Sequence, residues 1–314
     1  MLRLTIRRLL ALVPLLFVVS LVVFSLLLMV PGDPAISLAG EDATVEQIEE
    51  TRDRLGLDDP VLVQYGRWAS DAVTGDLGTS LYSSQSVTSS LWSRLPVTLS
   101  LTFAAVVVGL VISIPAGLLS ASRPDGWIDR ASRVGSSLGI AIPNFWLAAI
   151  LLIVFAINTD LFPAVGYVPF TENPVEWARH LVLPAIALGA IAAAEMTRQL
   201  RGAMMDVLRS DYVRTARANG IRRHVILVKH ALKNAAIPVV TVLGLQVAYL
   251  LGGSVIIEQM FALPGVGRLA INAVIARDLP MIQGVVLFVV LVSVLVNLAV
   301  DLSYGFLNPK VRAE

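Results

Sequence analysis

The sequence predicts an all-α polytopic membrane protein with six transmembrane helices, and three observations carry that expectation. Of 314 residues, 56% are hydrophobic and only 15% charged, with a mean hydropathy of +0.77; a soluble domain carries about 25% charge. Six apolar segments approach the roughly 20 residues that a helix needs to cross about 30 Å of hydrocarbon. The Lys and Arg residues also fall in alternate connections between those segments.

The spans expected are 9–30, 96–119, 134–157, 181–197, 235–257 and 281–304. The first follows Arg3, Arg7 and Arg8 but is too long for a cleaved signal core and lacks a small-residue cleavage site, so it reads as an anchor. The fourth is the weakest, being short and ending in Glu195. Prolines 115, 143, 184 and 238 are expected to interrupt four spans. With the N-terminus in the cytoplasm, 17 of 24 basic residues lie inside and 7 outside, as the positive-inside rule requires. Both termini are then cytoplasmic.

The outer stretch 31–95 holds 11 acidic residues against four arginines and shows helix signals. Thr44 and Gln47 form a capping box, with Gly56 as the stop. Pro60 suits a first helical position and Gly75 the next stop, with Val61, Tyr65, Trp68 and Ala69 spaced along one helical face. The inner stretch 198–233 is strongly basic. Ser210 caps a predicted helix over 212–219, Gly220 stops it, and a second helix over 224–234 runs into the fifth span. Fixing topology needs only a few charges, so a helix–Gly–helix of this length reads as a docking surface.

The chain has no cysteine, which excludes disulfides, iron–sulfur clusters, thiolate zinc and cysteine nucleophiles. His180, His224 and His230 are scattered, so no metal site is expected. A net charge of +1 gives no case for nucleic acid. No P-loop, G-x-S-x-G, H-E-x-x-H or G-x-G-x-x-G motif occurs, so no catalytic residues are assigned and any ATP must bind elsewhere. Glu195, Glu258 and Asp301 lie toward span ends, where interfacial pairing satisfies them; Arg198 is the expected partner of Glu195. The polar residues left at depth, Asn144, Thr241, Gln246 and Ser254 among them, are candidates to line a passage or to join helices.

The segment 211–240, DYVRTARANGIRRHVILVKHALKNAAIPVV, resembles the coupling (EAA) loop of ABC-importer permeases. Ala216, Gly220 and Leu232 match that pattern, whereas Arg214, Thr215, His230 and Lys233 depart from it. PGDP at 31–34, RLGLDDP at 54–60, QYGRW at 64–68, GDLGTS at 75–80, RLPVTL at 94–99 and EQMFALPGVG at 258–267 are similar to the peptide/nickel branch. The resemblance, to the B-type permease of dipeptide/oligopeptide importers, spans nearly the whole chain.

It implies the ABC importer permease fold in a bacterial cytoplasmic membrane. The parts would be an anchor (1–30), a helical extracytoplasmic insertion (31–95) and a transmembrane domain (96–314) with a coupling loop at 198–234. It also implies a second homologous permease, two ATP-binding subunits that hold ATP and Mg, and an extracytoplasmic substrate-binding protein; the chain itself would hold no cofactor. Asp211, Tyr212, Arg214, Thr215, Ala216, Arg217, Gly220 and His230 would form the coupling surface. Glu258, Phe261, Leu263, Pro264 and Gly265 would form a loop facing the binding protein. Peptides are the implied cargo, with glutathione and nickel chelates within the same branch. A non-transport membrane scaffold is the alternative of a different class.

Overall fold

The computed structural model describes residues 2–28, 35–36 and 43–307, so the PGDP motif, Lys310 and Arg312 lie outside the described residues, as does the side chain of Asp301. The helices are α1 (Leu2–Leu28), α2 (Val45–Leu55), α3 (Val61–Thr74), α4 (Val87–Ser122), α5 (Trp127–Ala141), α6 (Asn144–Leu151), α7 (Pro174–Leu208), α8 (Asp211–Ala218), α9 (Leu232–Met260), α10 (Val266–Ile275) and α11 (Leu279–Leu307). A π-helical turn, Leu152–Ile157, follows α6; a second, Ile226–Ala231, leads into α9. Among the described residues the β contribution is one isolated bridge, Thr79 to Ser86.

Four helical stretches are long and apolar enough to cross a membrane: Val87–Ser122, Pro174–Leu208, Arg223–Met260 and Leu279–Ala299. The pair Trp127–Ala141 and Asn144–Ile157 is together long and apolar enough for a fifth but is bent by 102°, the geometry of a broken span or a re-entrant loop. Pro143 causes the break. Its ring disfavours the α region at the preceding residue, and Ile142 is extended at φ −81°, ψ 121°. Pro115, Pro184 and Pro238, expected to interrupt their spans as well, are instead carried inside unbroken helices. The remaining apolar span, α1, is a continuous helix of 27 residues.

Two compact units divide the chain. The first contains 97–268, and α7 is central to it. Two thirds (67%) of its apolar window is buried by protein, against 28–39% for the other three long spans. The span that looked weakest in sequence is therefore the most deeply covered by protein of these four. An Ala/Gly-rich helix needs less hydropathy where its neighbours are helices. Asn173 caps α7, its side chain accepting from the N–H groups of Val175 and Glu176 at 3.1 and 3.2 Å. A Cβ on Gly189 would fall 2.5 Å from the carbonyl oxygen of Ala105, so α4 and α7 approach backbone to backbone. Leu101, Ala105, Leu181, Leu188, Leu250 and Ile257 form the main core; Met196, Leu200, Met204, Ala231 and Ala235 form a second one.

The second unit contains 6–96 and 269–294. The Thr44–Gln47 capping box is formed, and Gly56 and Gly75 close α2 and α3 with φ of 61° and 93°. Pro60 occupies the N-cap of α3 rather than its first helical position. Tyr65 and Trp68 pack on α1 through Phe17 and Phe24, with ring centroids 5.5–6.2 Å apart. The Tyr65 hydroxyl lies 2.8 Å from that of Ser20. Val61, expected on the same face, points to solvent. Asp278 is buried and ties the 79–86 turn to the start of α11, accepting from the Ser80 hydroxyl and from the Leu81 N–H at 3.1 Å.

Candidate functional site

The residues expected to couple to an ATPase are gathered on α8 and the turn after it. Ser210 sits at the N-cap, but its hydroxyl donates back to the Val207 carbonyl at 2.6 Å and does not cap α8. Gly220 ends the segment in the left-handed region at φ 73°, with open space where a Cβ would be. Its N–H and that of Ile221 donate to the Arg217 and Ala216 carbonyls at 3.0 and 3.1 Å.

The helix is fixed from one side. Val213 is fully buried. The Tyr212 hydroxyl donates to the His230 carbonyl at 3.4 Å and accepts from Asn234 at 2.7 Å, tying α8 to the π turn and to the start of α9. His230 thus contributes its backbone. The opposite side is open: Asp211, Arg214 and Thr215 are exposed and Ala216 is half-buried, whereas Arg217, expected on this surface and also exposed, lies one turn from Val213 and turns back to donate to the Leu208 carbonyl at 3.3 Å. Arg214 pairs with Asp211 at 3.3 Å with both side chains more than four-fifths exposed, a contact that adds little stability. The face stays available for a partner.

The four polar residues at depth do not share one surface. Gln246, nearly buried, donates its amide to Glu195 on α7. This replaces the expected Glu195–Arg198 pair, and Arg198 is exposed. Gln246 lies halfway along α9, so the carboxylate of Glu195 sits at mid-helix rather than at an interface. The Asn144 amide is placed 3.7 Å from where a Gly253 side chain would begin, at the bend that opens α6. Thr241 is exposed and bonds only its own helix. Ser254 is fully buried and donates to the Leu251 carbonyl at 2.9 Å, so it lines no open passage in this structure.

The 258–267 loop is a folded knot. Glu258 is fully buried and accepts from the Thr98 hydroxyl at 2.7 Å and from the Arg268 N–H at 3.0 Å. Thr98 in turn accepts from the Val266 N–H at 2.9 Å. A Cβ on Gly265 would collide with the Glu258 carboxylate, which explains the glycine there. Phe261 and Leu263 are buried in the main core among Leu101, Leu181 and Leu250, and the Phe261 carbonyl accepts from Gly166 at 2.9 Å. Of the five loop residues, Pro264 alone is exposed. Phe261 and Leu263 therefore offer no side chain to a binding protein in this structure, because their own chain covers them.

The pattern of the sequence missed one further cluster. Asp129, fully buried at the start of α5, accepts from Arg201 of α7 through Nε and Nη2 at 2.5 and 2.8 Å, from the Ser120 hydroxyl and from the Asp125 N–H at 2.9 Å. It fixes the α4–α5 turn against α7. A carboxylate inside a basic connection was the available signal, but its partner lies 72 residues away.

Membrane-length helices around common cores, with a short charged helix exposed beside them, define a multi-pass membrane subunit. Among the described residues no group of three or more acidic or histidine side chains could hold a metal ion. Residues 113–313 match the family model described as "Binding-protein-dependent transport system inner membrane component", and residues 1–102 match its N-terminal companion. The chain belongs to this family, and is a transport-system membrane component rather than an enzyme.

Among its relatives are a putative peptide transport system permease protein of Brucella abortus (strain 2308), 41% identical over 311 residues and 99% of each chain, and the dipeptide transport system permease protein DppB of Alkalihalophilus pseudofirmus, 40% identical over 99% of this chain and 100% of the relative. The glutathione transport system permease protein GsiC of Escherichia coli O6:H1 is 42% identical over 99% of each. The fold is similar to that of the MetNI methionine ABC transporter in its inward-facing conformations, with a TM-score of 0.58 at 19% identity over 70% of this chain and 96% of that one.

Proposed function

We propose that this chain is one permease of an ATP-driven peptide importer, forming half of a translocation pathway with a second, homologous permease. The observation that carries the coupling role is α8. Its apolar side is held by Val213 and Tyr212, while Asp211, Arg214 and Thr215 face outward for a cleft on an ATP-binding subunit. Two such subunits would hold ATP and Mg, since the sequence carries no P-loop. The positive-inside distribution supports cytoplasmic termini and a cytoplasmic α8. The 31–95 insertion and the exposed Pro264 then face an extracytoplasmic binding protein. Closure of the ATPases would be transmitted through α8 to α7 and α9, exposing the pathway alternately to the two sides. Peptide as cargo rests on relatives named for peptide and dipeptide transport. Glutathione is the second reading, carried by the relative at 42% identity, and is itself a tripeptide.

The test is reconstitution with the second permease, the ATP-binding subunits and the binding protein in liposomes. ATP hydrolysis and labelled-dipeptide accumulation should rise together when the binding protein is loaded. A response to glutathione alone would favour the second reading, and no response to either would overturn transport of this class.

A further inference from the structure

A cavity of about 580 Å³ lies where the ends of α4, α7 and α8 meet the turn before the Ile226–Ala231 π segment. Arg209, Arg217 and Arg223 line it from three different segments, above an apolar floor that includes Met205, Leu208 and Ile226. No carboxylate lines it. Of the nearby acids, Asp129 pairs with Arg201, Asp125 with Arg133 at 3.6 Å and Asp211 with Arg214, while the exposed Asp206 lies outside the lining. Arg217 donates to the Leu208 carbonyl at 3.3 Å and Arg223 to the Ser122 carbonyl, each leaving most of its guanidinium N–H groups unused. Arg209 uses its backbone N–H on the Asp206 carbonyl at 3.2 Å, and among the described residues its side chain forms neither a hydrogen bond nor an ion pair.

Three arginines around one concavity without a counter-charge are an unmet demand for an anion. Guanidinium presents a planar fork of donors that matches phosphate oxygens in pairs. The apolar floor selects further, because a free phosphate gains nothing from Met205, Leu208 and Ile226, whereas a glycerol backbone and the first acyl carbons do. The depth is also right. The cavity opens at the ends of two membrane-length helices, where their apolar runs give way to the basic connections. Basic pockets between spans at the cytoplasmic surface are where phospholipid headgroups bind.

We infer that this cavity is a binding site for the phosphate headgroup of an anionic phospholipid. The bound phosphate bridges Arg217 on α8 to Arg209 at the end of α7 and to Arg223 before the π turn. Lipid occupancy thereby stiffens the seat of α8, a control on docking that lies outside the transported solute's path.

The test uses the intact permease–ATPase complex and native mass spectrometry, titrated with phosphatidylglycerol and, separately, with phosphatidylcholine. Each basic residue near an anionic headgroup contributes about five-fold in affinity. Arg209→Gln should therefore weaken phosphatidylglycerol retention about five-fold, and Arg209→Gln with Arg223→Gln roughly 25-fold. Phosphatidylcholine binding should not change. The Arg209 side chain has no partner among the described residues to lose, so the single variant reports on the site and not on folding. If the double Gln variant assembles poorly, Arg209→Lys with Arg223→Lys should recover most of the affinity. Equal retention of phosphatidylglycerol by wild type and Arg209→Gln would overturn the site. Displacement of phosphatidylglycerol by inorganic phosphate at equal concentration would overturn the lipid and leave a free-anion site.

Discussion

Replacing Glu258 with Ala tests the reading of the 258–267 loop as a knot tied by one carboxylate. One buried donor, the Thr98 hydroxyl, would lose its acceptor, whereas the half-buried Arg268 N–H can turn to water. An orphaned buried donor costs about 1–3 kcal/mol, so the loss is of that order. Gly265→Ala alone should also destabilise, because its Cβ would enter the space of the carboxylate. With Glu258→Ala already present that space is empty, so adding Gly265→Ala should cost almost nothing more. Gly267→Ala is the control: its Cβ would meet the Val255 Cα at 2.6 Å, backbone that Glu258→Ala does not move, so its penalty should persist in both backgrounds. The assay is the midpoint of heat-induced loss of monodisperse protein, read by fluorescence-detected size exclusion in detergent. Additive losses for Glu258→Ala with Gly265→Ala would refute the knot, as would a Glu258→Ala midpoint equal to wild type.

Gly220→Val should leave the protein inserted but strain the turn after α8 by about 1–2 kcal/mol, since φ is 73° there; ATPase copurification should fall, and unchanged copurification would remove α8 from coupling. In this cysteine-free chain, Ser83→Cys should react with an impermeant maleimide on intact spheroplasts and Ala218→Cys only after permeabilisation; the reverse pattern would invert the orientation. Arg201→Met should cost about 3 kcal/mol by stranding the buried Asp129 carboxylate, whereas Arg201→Met with Asp129→Leu should recover much of the lost midpoint. Equal midpoints for these single and double variants would show that the pair is not a structural tie.

Local signals were legible in the sequence where neighbouring residues settle the outcome. Thr44 with Gln47 and Gly56 bounded α2, and Gly220 closed α8 within a residue of the predicted stop. What failed depended on residues distant in the chain. Four prolines looked alike, yet only Pro143 breaks its helix; Pro184 sits in the buried middle of α7, where packing on both sides holds the helix together. Phe261 and Leu263 looked exposed because their cover, Leu101 and Leu181 included, lies up to 162 residues upstream. Glu195 was assigned to the nearer arginine by helical spacing, but Gln246 of another span takes it. Polar pairing across a bundle has no periodicity to read.

A π turn is an α-helical turn that has accommodated one additional residue, and one such turn, Ile226–Ala231, carries His230 of the α8 contact and leads directly into the long run of α9. Deleting a residue from an ordinary span rotates everything beyond it by about 100°, turning the apolar side away from its neighbours. Here the same deletion would convert the loose turn to a tight one and leave the registers above and below almost undisturbed. Family members one residue shorter at this point could therefore keep both faces of the helix, making 226–231 a natural place for lengths to diverge during evolution.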